Sequence, residues 1–161
     1  MEQTLLALDE HDRALVREYL DGQRDAASGL VDRYQKRLYN LALRLLANAP
    51  DAEDVIQTVF FNAFVKLHTF DPRYRFFSWI YRMTVNESLN MLKRRKGTVA
   101  LEDGPDMAAP APVTDGASEA RDRVDQALLR LKPDDRAVVV LKDLESFSYE
   151  EFGEASRELA Q

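Results

Sequence analysis

The sequence predicts an all-α protein: two small helical domains joined by a flexible linker. Three observations carry this. Apolar residues recur every three or four positions in long segments before residue 97, the spacing of a helix face rather than of a strand. From Gly97 to about Ala120 that periodicity vanishes in a stretch holding Pro105, Pro110, Pro112, Gly104 and Gly116. Helical spacing then resumes. The expected boundaries are a helical domain at 10–96, a linker at 97–121 and a smaller helical domain at 122–161.

The first expected helix runs from about Asp12 to Leu20 on Leu15, Val16, Tyr19 and Leu20, with Gly22 and Gly29 punctuating the chain after it. The second carries Val31, Tyr34, Leu38, Leu41 and Leu45. Pro50-Asp51 divides it from the third, with Asp51 expected to cap free backbone N–H groups and Glu53 and Asp54 near the positive helix end. That third helix holds Ile56, Val59, Ala63 and Leu67. Pro72 forces a loop through Thr69 to Arg75, and the fourth helix follows with Tyr81, Val85, Leu89 and Leu92. Beyond the linker, Val124, Leu128 and Leu131 begin a helix. Val138, Val139 and Leu141 continue after Pro133, and Ser148 with Glu151 forms a capping box ahead of Phe152, Ala155 and Leu159.

Composition excludes several classes. No apolar run approaches the roughly 20 residues of a membrane span, so no membrane insertion is expected. The N-terminus lacks a basic start and a small-residue cleavage site, which predicts a cytoplasmic protein. With no cysteine, and with His11 and His68 far apart, neither a disulfide framework nor a metal site is expected. No Gly-rich phosphate loop, nucleophile elbow or paired-His motif is present, so no cofactor and no enzymatic activity are expected. Asp51, Glu53 and Asp54 are in principle oxygen donors for a divalent ion, but helix-start capping accounts for them without one.

The net charge of −6 argues at first against a nucleic-acid partner. The average hides a local stripe: Arg73 to Lys96 holds seven basic residues against the single acid Glu87. Nine of the fifteen aromatic residues fall between Phe60 and Tyr81, overlapping that stripe. Aromatic rings stack on unpaired bases while neighbouring Arg and Lys follow phosphates, a combination suited to single-stranded DNA. Phe60 and Phe64, four apart on a helix, are better explained as core rings. Tyr74, Phe76 and Trp79 flank a Pro-containing loop and alternate with Arg73 and Arg75, where core rings and stacking rings are both consistent with the pattern.

Three segments in order, Asp51-Ala52-Glu53-Asp54-Val55-Ile56-Gln57, then Phe77-Ser78-Trp79-Ile80-Tyr81-Arg82, then Asn86 and Leu92-Lys93-Arg94-Arg95, resemble region 2 of extracytoplasmic-function (ECF) sigma factors. Leu131-Lys132-Pro133, Leu141-Lys142-Asp143-Leu144 and Ser148-Tyr149-Glu150-Glu151 resemble the start of region 4. The resemblance implies a non-enzymatic transcription initiation factor that binds core RNA polymerase, recognises the promoter −10 element and opens the strands. It implies docking of the helix from Asp51 to Phe64 on the β′ clamp coiled coil, with Asp51, Glu53, Asp54, Gln57 and Phe60 as contacts. It assigns promoter DNA to Arg73, Tyr74, Arg75, Phe76, Trp79, Arg82, Asn86 and Asn90, with Lys93, Arg94, Arg95 and Lys96 on the adjacent duplex backbone. An anti-sigma factor is the implied regulator.

The resemblance to region 4 departs from the family pattern after the Ser148 helix. Arg157 stands where a turn glycine is expected, and no basic recognition helix follows, so ordinary −35 reading in the major groove is not expected. A rival reading is a sigma-like interaction module that sequesters an anti-sigma factor without touching DNA. The incomplete region 4 favours it; Trp79, Arg82, Asn86 and the basic run, which a decoy has no physical reason to keep, oppose it.

Overall fold

The computed structural model describes residues 2–99 and 119–140, and within them it is built from helices alone. They are α1 (Glu2–Leu20), α2 (Ala26–Leu46), α3 (Ala49–Lys66), α4 (Phe76–Val99), α5 (Glu119–Leu129) and α6 (Pro133–Val139), with one 3₁₀ turn at Leu67–Thr69. Most of the apolar stripe of α2 becomes its buried face: Tyr34, Leu38, Leu41 and Leu45 are inaccessible or nearly so, and Leu30 completes the face where the expected Val31 is only partly buried. Each fully buried leucine contributes about 1.5–3 kcal/mol through area removed from water. Against this face pack Ala52, Val55, Ile56, Val59 and Ala63 of α3 and Phe76, Ile80, Tyr81, Val85 and Leu89 of α4. Thr84 and Ser88 are also buried in α4. Their hydroxyls donate to the carbonyls of Ile80 and Thr84, at 3.0 and 2.8 Å, so neither polar group is left orphaned.

The helix ends explain the turns. At α2, Ala47 takes the left-handed conformation (φ 52°) and its N–H bonds Leu43 O at 2.8 Å, although glycine is the usual residue for this cap. Asn48, not Asp51, caps α3: its side chain accepts from the Asp51 N–H at 2.9 Å, and Pro50 occupies the first turn, where its missing N–H costs nothing. Asp51 therefore lies inside the helix and is free to pair elsewhere. Between α1 and α2 the chain turns at Gly22 (φ 98°). Gly29 then lets Leu15 approach so closely that an added Cβ would sit 3.1 Å from its side chain.

Three boundaries shift from the sequence expectation. Helix α1 begins ten residues earlier than the Asp12 start, and helix occupies 97–99 and 119–121, where a linker was expected. The capping box at Ser148 and Glu151 lies outside the described residues, as does everything else after 140. Leu128, Ala137 and Val140 of the second helical unit share one apolar core with α2, α3 and α4.

Candidate nucleic-acid interface

Helix α4 is continuous for 24 residues. At 100° per residue, Trp79, Arg82, Asn86, Asn90 and Lys93 fall within one narrow stripe, and over about 21 Å of helix this places an aromatic ring, a guanidinium, two amides and an ammonium in a row. Trp79, Arg82 and Asn86 are half-buried; Asn90 and Lys93 are exposed. The opposite side of α4 is the core face.

The loop before α4 sits at the Trp79 end of this stripe. Asp71 shapes it by accepting from the Arg73 N–H at 2.9 Å, and the same carboxylate takes the Arg73 guanidinium. The Arg73 partner holds the Asp71 carboxyl below its usual range. Tyr74 projects from the loop, 45% exposed. Arg75 is held by Asp9 of α1 at 3.2 Å, so α1 positions the loop. The guanidiniums of Arg75 and Arg37 lie 5.1 and 4.7 Å from the Phe77 ring centroid, both within cation–π reach. Arg37, on α2, adds positive charge here that a count along residues 73–96 does not include.

Some expected DNA contacts are placed differently. Phe76 is 1% exposed and packs against Tyr34, Phe70 and Trp79, so no face of its ring is open to a base. It is a core residue, which corrects the expected stacking role. Arg95 lies on the far side of α4 from Lys93 and pairs with Asp51 at 2.8 Å. It joins α4 to α3 instead of extending the basic stripe. Arg94 pairs with Glu87 at 2.8 Å on the flank, whereas Lys93 and Lys96 are exposed. The four consecutive bases thus diverge by helical phase.

A second exposed stripe runs along α3: Asp54, Gln57, Thr58, Phe61 and Val65 fall on one face by the same 100° count. Phe61 is 71% exposed and Val65 56%, while Phe60 is buried at 9% and stacks on Phe64. The exposed ring on this face is therefore Phe61, not the expected Phe60. Glu53 is exposed at the edge of this stripe.

The α1–α2 joint is a buried polar cluster. Asp12, 1% exposed, accepts from the Tyr34 hydroxyl and pairs with Arg33 at 3.1 Å. Burial pushes both the Asp12 carboxyl and the Tyr34 phenol upward. Among the described residues no group of three or more His, Asp or Glu is placed to hold a metal ion, and no helix is long and apolar enough to cross a membrane.

Residues 30–98 match the family model for Sigma-70 region 2. The ECF RNA polymerase sigma factor SigM of Mycobacterium tuberculosis strain H37Rv is 30% identical over 144 residues, covering 87% of this chain and 70% of that protein. An engineered region 2 of sigmaE, solved by NMR in complex with GTAAAA, is 34% identical with a TM-score of 0.51, covering 56% of this chain and 93% of that one. CnrH, solved in complex with the cytosolic domain of CnrY, is 25% identical with a TM-score of 0.64, covering 90% of this chain and 82% of that one.

Proposed function

Because the chain belongs to the ECF sigma factors of the sigma-70 family, we propose that it binds core RNA polymerase and directs promoter −10 recognition and strand opening for transcription initiation. The single observation that carries this reading is the α4 stripe with its loop. Tyr74 from the loop and Trp79 offer ring surface, Arg82, Asn86 and Asn90 offer hydrogen-bonding groups, and Lys93 and Lys96 offer phosphate contacts, the last six residues along one side of α4. Strand opening is costly, and extruded bases must be received on surfaces already in place. A helix anchored by nine buried side chains supplies that preorganisation at little further entropic cost.

The α3 stripe is the surface we assign to core polymerase. Asp54 and Gln57 provide polar contacts, and Phe61 with Val65 provides the apolar centre that a stable protein contact requires. The region 2 homologue held with GTAAAA supports the strand assignment, and CnrH held with the cytosolic domain of CnrY supports control by a bound protein partner, in this reading an anti-sigma factor. In this reading residues 10–96 carry both polymerase docking and −10 capture, and the unit from residue 122 is a region 4-like element.

The test is fluorescence anisotropy of labelled −10 single strands and matching duplexes against the chain loaded on core polymerase, at two salt concentrations. Single strands should bind more tightly than duplexes, and Trp79→Ala and Arg82→Ala should each weaken them. Core binding with equal affinity for scrambled strands would instead support the interaction-module reading.

A further inference from the structure

Arg136 is the least ordinary side chain in the fold. It is 7% exposed, carries a full charge, and its hydrogen-bond partners are all main-chain carbonyls: Leu128 O at 2.9 Å, Leu129 O at 3.1 Å, Leu131 O at 3.2 Å and Leu45 O at 2.5 Å. The first three belong to the end of α5 and the turn after it. The fourth belongs to the last turn of α2, ninety-one residues away in the chain. A guanidinium with five donors in a rigid fork therefore caps the negative C-terminal ends of two helices at once, one in each helical unit.

The α5–α6 unit needs this attachment. Its helices are 11 and 7 residues long, below the length at which isolated helices persist in water. Its buried apolar residues, Leu128, Ala137 and Val140, all lie in the core shared with α2–α4. Docking and helix formation in α5–α6 are thus one equilibrium, held by a few apolar contacts, Val139 among them, and one multiply bonded cation.

The latch also sits at a telling end of the bundle. Leu45 leads through Ala47 and Asn48 directly into the first turn of α3, where Asp51 meets Arg95 of α4. This is the end of α4 that carries Lys93 and Lys96. The first turn of α6 brings Asp134 and Asp135, both exposed, to the same end.

We propose that Arg136 latches α5–α6 onto the α2–α4 bundle in a docked state, and that this state opposes strand binding by setting the Asp134 and Asp135 carboxylates beside the basic end of α4. Phosphates approaching Lys93 and Lys96 then meet two added negative charges at the same end of the bundle, a repulsion that weakens as salt rises. Undocking removes those charges, and strand binding in turn favours undocking by the same factor. The docking half stands on the contacts above; the strand-binding half rests on the function proposed for α4.

The chain has no cysteine, so Lys36→Cys on α2 and Arg130→Cys after α5 accept a pair of spin labels without background. Pulsed-dipolar distances in the full chain should give one short population. Arg136→Gln should shift the docked-to-undocked ratio by roughly tenfold or more, the worth of a single lost charge-assisted hydrogen bond. Arg136→Lys, which keeps the charge on one ammonium, should fall between. Any loss of helical circular dichroism should accompany the separation, because the freed helices are too short to persist. In parallel, a fluorescein-labelled GTAAAA single strand should bind Arg136→Gln several-fold more tightly than the parent. Asp134→Asn with Asp135→Asn should tighten it while leaving the distance short. Identical distance distributions for the parent and Arg136→Gln, or separation without any gain in strand affinity, would overturn the proposal. A strand that binds neither protein would count against the α4 assignment, while the distances still decide whether the latch exists.

Discussion

Replacing Phe76 and Tyr74 separately by leucine distinguishes core rings from strand-binding rings in the same short segment. Phe76 is 1% exposed and touches three other rings, whereas Tyr74 is 45% exposed at the loop tip. Leucine removes aromaticity but keeps much of the volume, so Phe76→Leu should cost about 1–2 kcal/mol of packing. For a domain of this size that lowers Tm by roughly 3–10 °C. Strand affinity, measured by anisotropy well below Tm on the chain loaded with core polymerase, should stay within about twofold. Tyr74→Leu should do the reverse, with Tm nearly unchanged and strand affinity down by about 5- to 150-fold, the equivalent of 1–3 kcal/mol for one stacked base. A Phe76→Leu protein that melts normally but loses the strand would show that this ring leaves the core to stack, and would refute the burial argument.

Other outcomes follow from the same geometry. Asp54→Ala with Gln57→Ala, and separately Phe61→Ala, should weaken core polymerase binding by pull-down or biolayer interferometry with little change in Tm, whereas Phe60→Ala should destabilise by about 3 kcal/mol. Lys93→Gln should reduce the slope of log affinity against log salt by about 0.7, the value for one phosphate contact on a single strand, and Arg95→Gln should leave that slope alone. Asp12 has a folded pKa raised by burial above its ordinary 3.8, so the folded state holds its proton more tightly than the unfolded chain. The contribution of this group to stability should therefore fall as pH rises from about 3.8 through the raised value and level off above it. Urea titrations across that window should show the decline, and Asp12→Asn should flatten it.

Much of the architecture was legible because it is local. The α2 spacing Tyr34, Leu38, Leu41, Leu45 describes a single buried face, and Pro72 marks the loop before α4. What sequence spacing does not supply is helical phase. Spacing placed Phe60 with Phe64 among the core rings, but did not single out adjacent Phe61, a 100° turn away, as the ring left exposed. Lys93 and Arg95 sit two residues apart in one basic run, yet one faces solvent and the other pairs with Asp51 across the bundle. The Arg136 contact was beyond reach for a further reason. Arginine is a surface residue by default, and nothing local announces that its partner is a carbonyl at Leu45.

The most direct test of the central claim is transcription by purified core RNA polymerase on fragmented genomic DNA, with and without the chain, with the 5′ ends of all transcripts sequenced. The account predicts a set of start sites that depends on the chain, shares a common upstream hexamer, and collapses when Trp79→Ala with Arg82→Ala replaces the parent while core binding persists. A chain that binds core polymerase yet produces no new start sites, or whose start sites survive that double substitution unchanged, would contradict it.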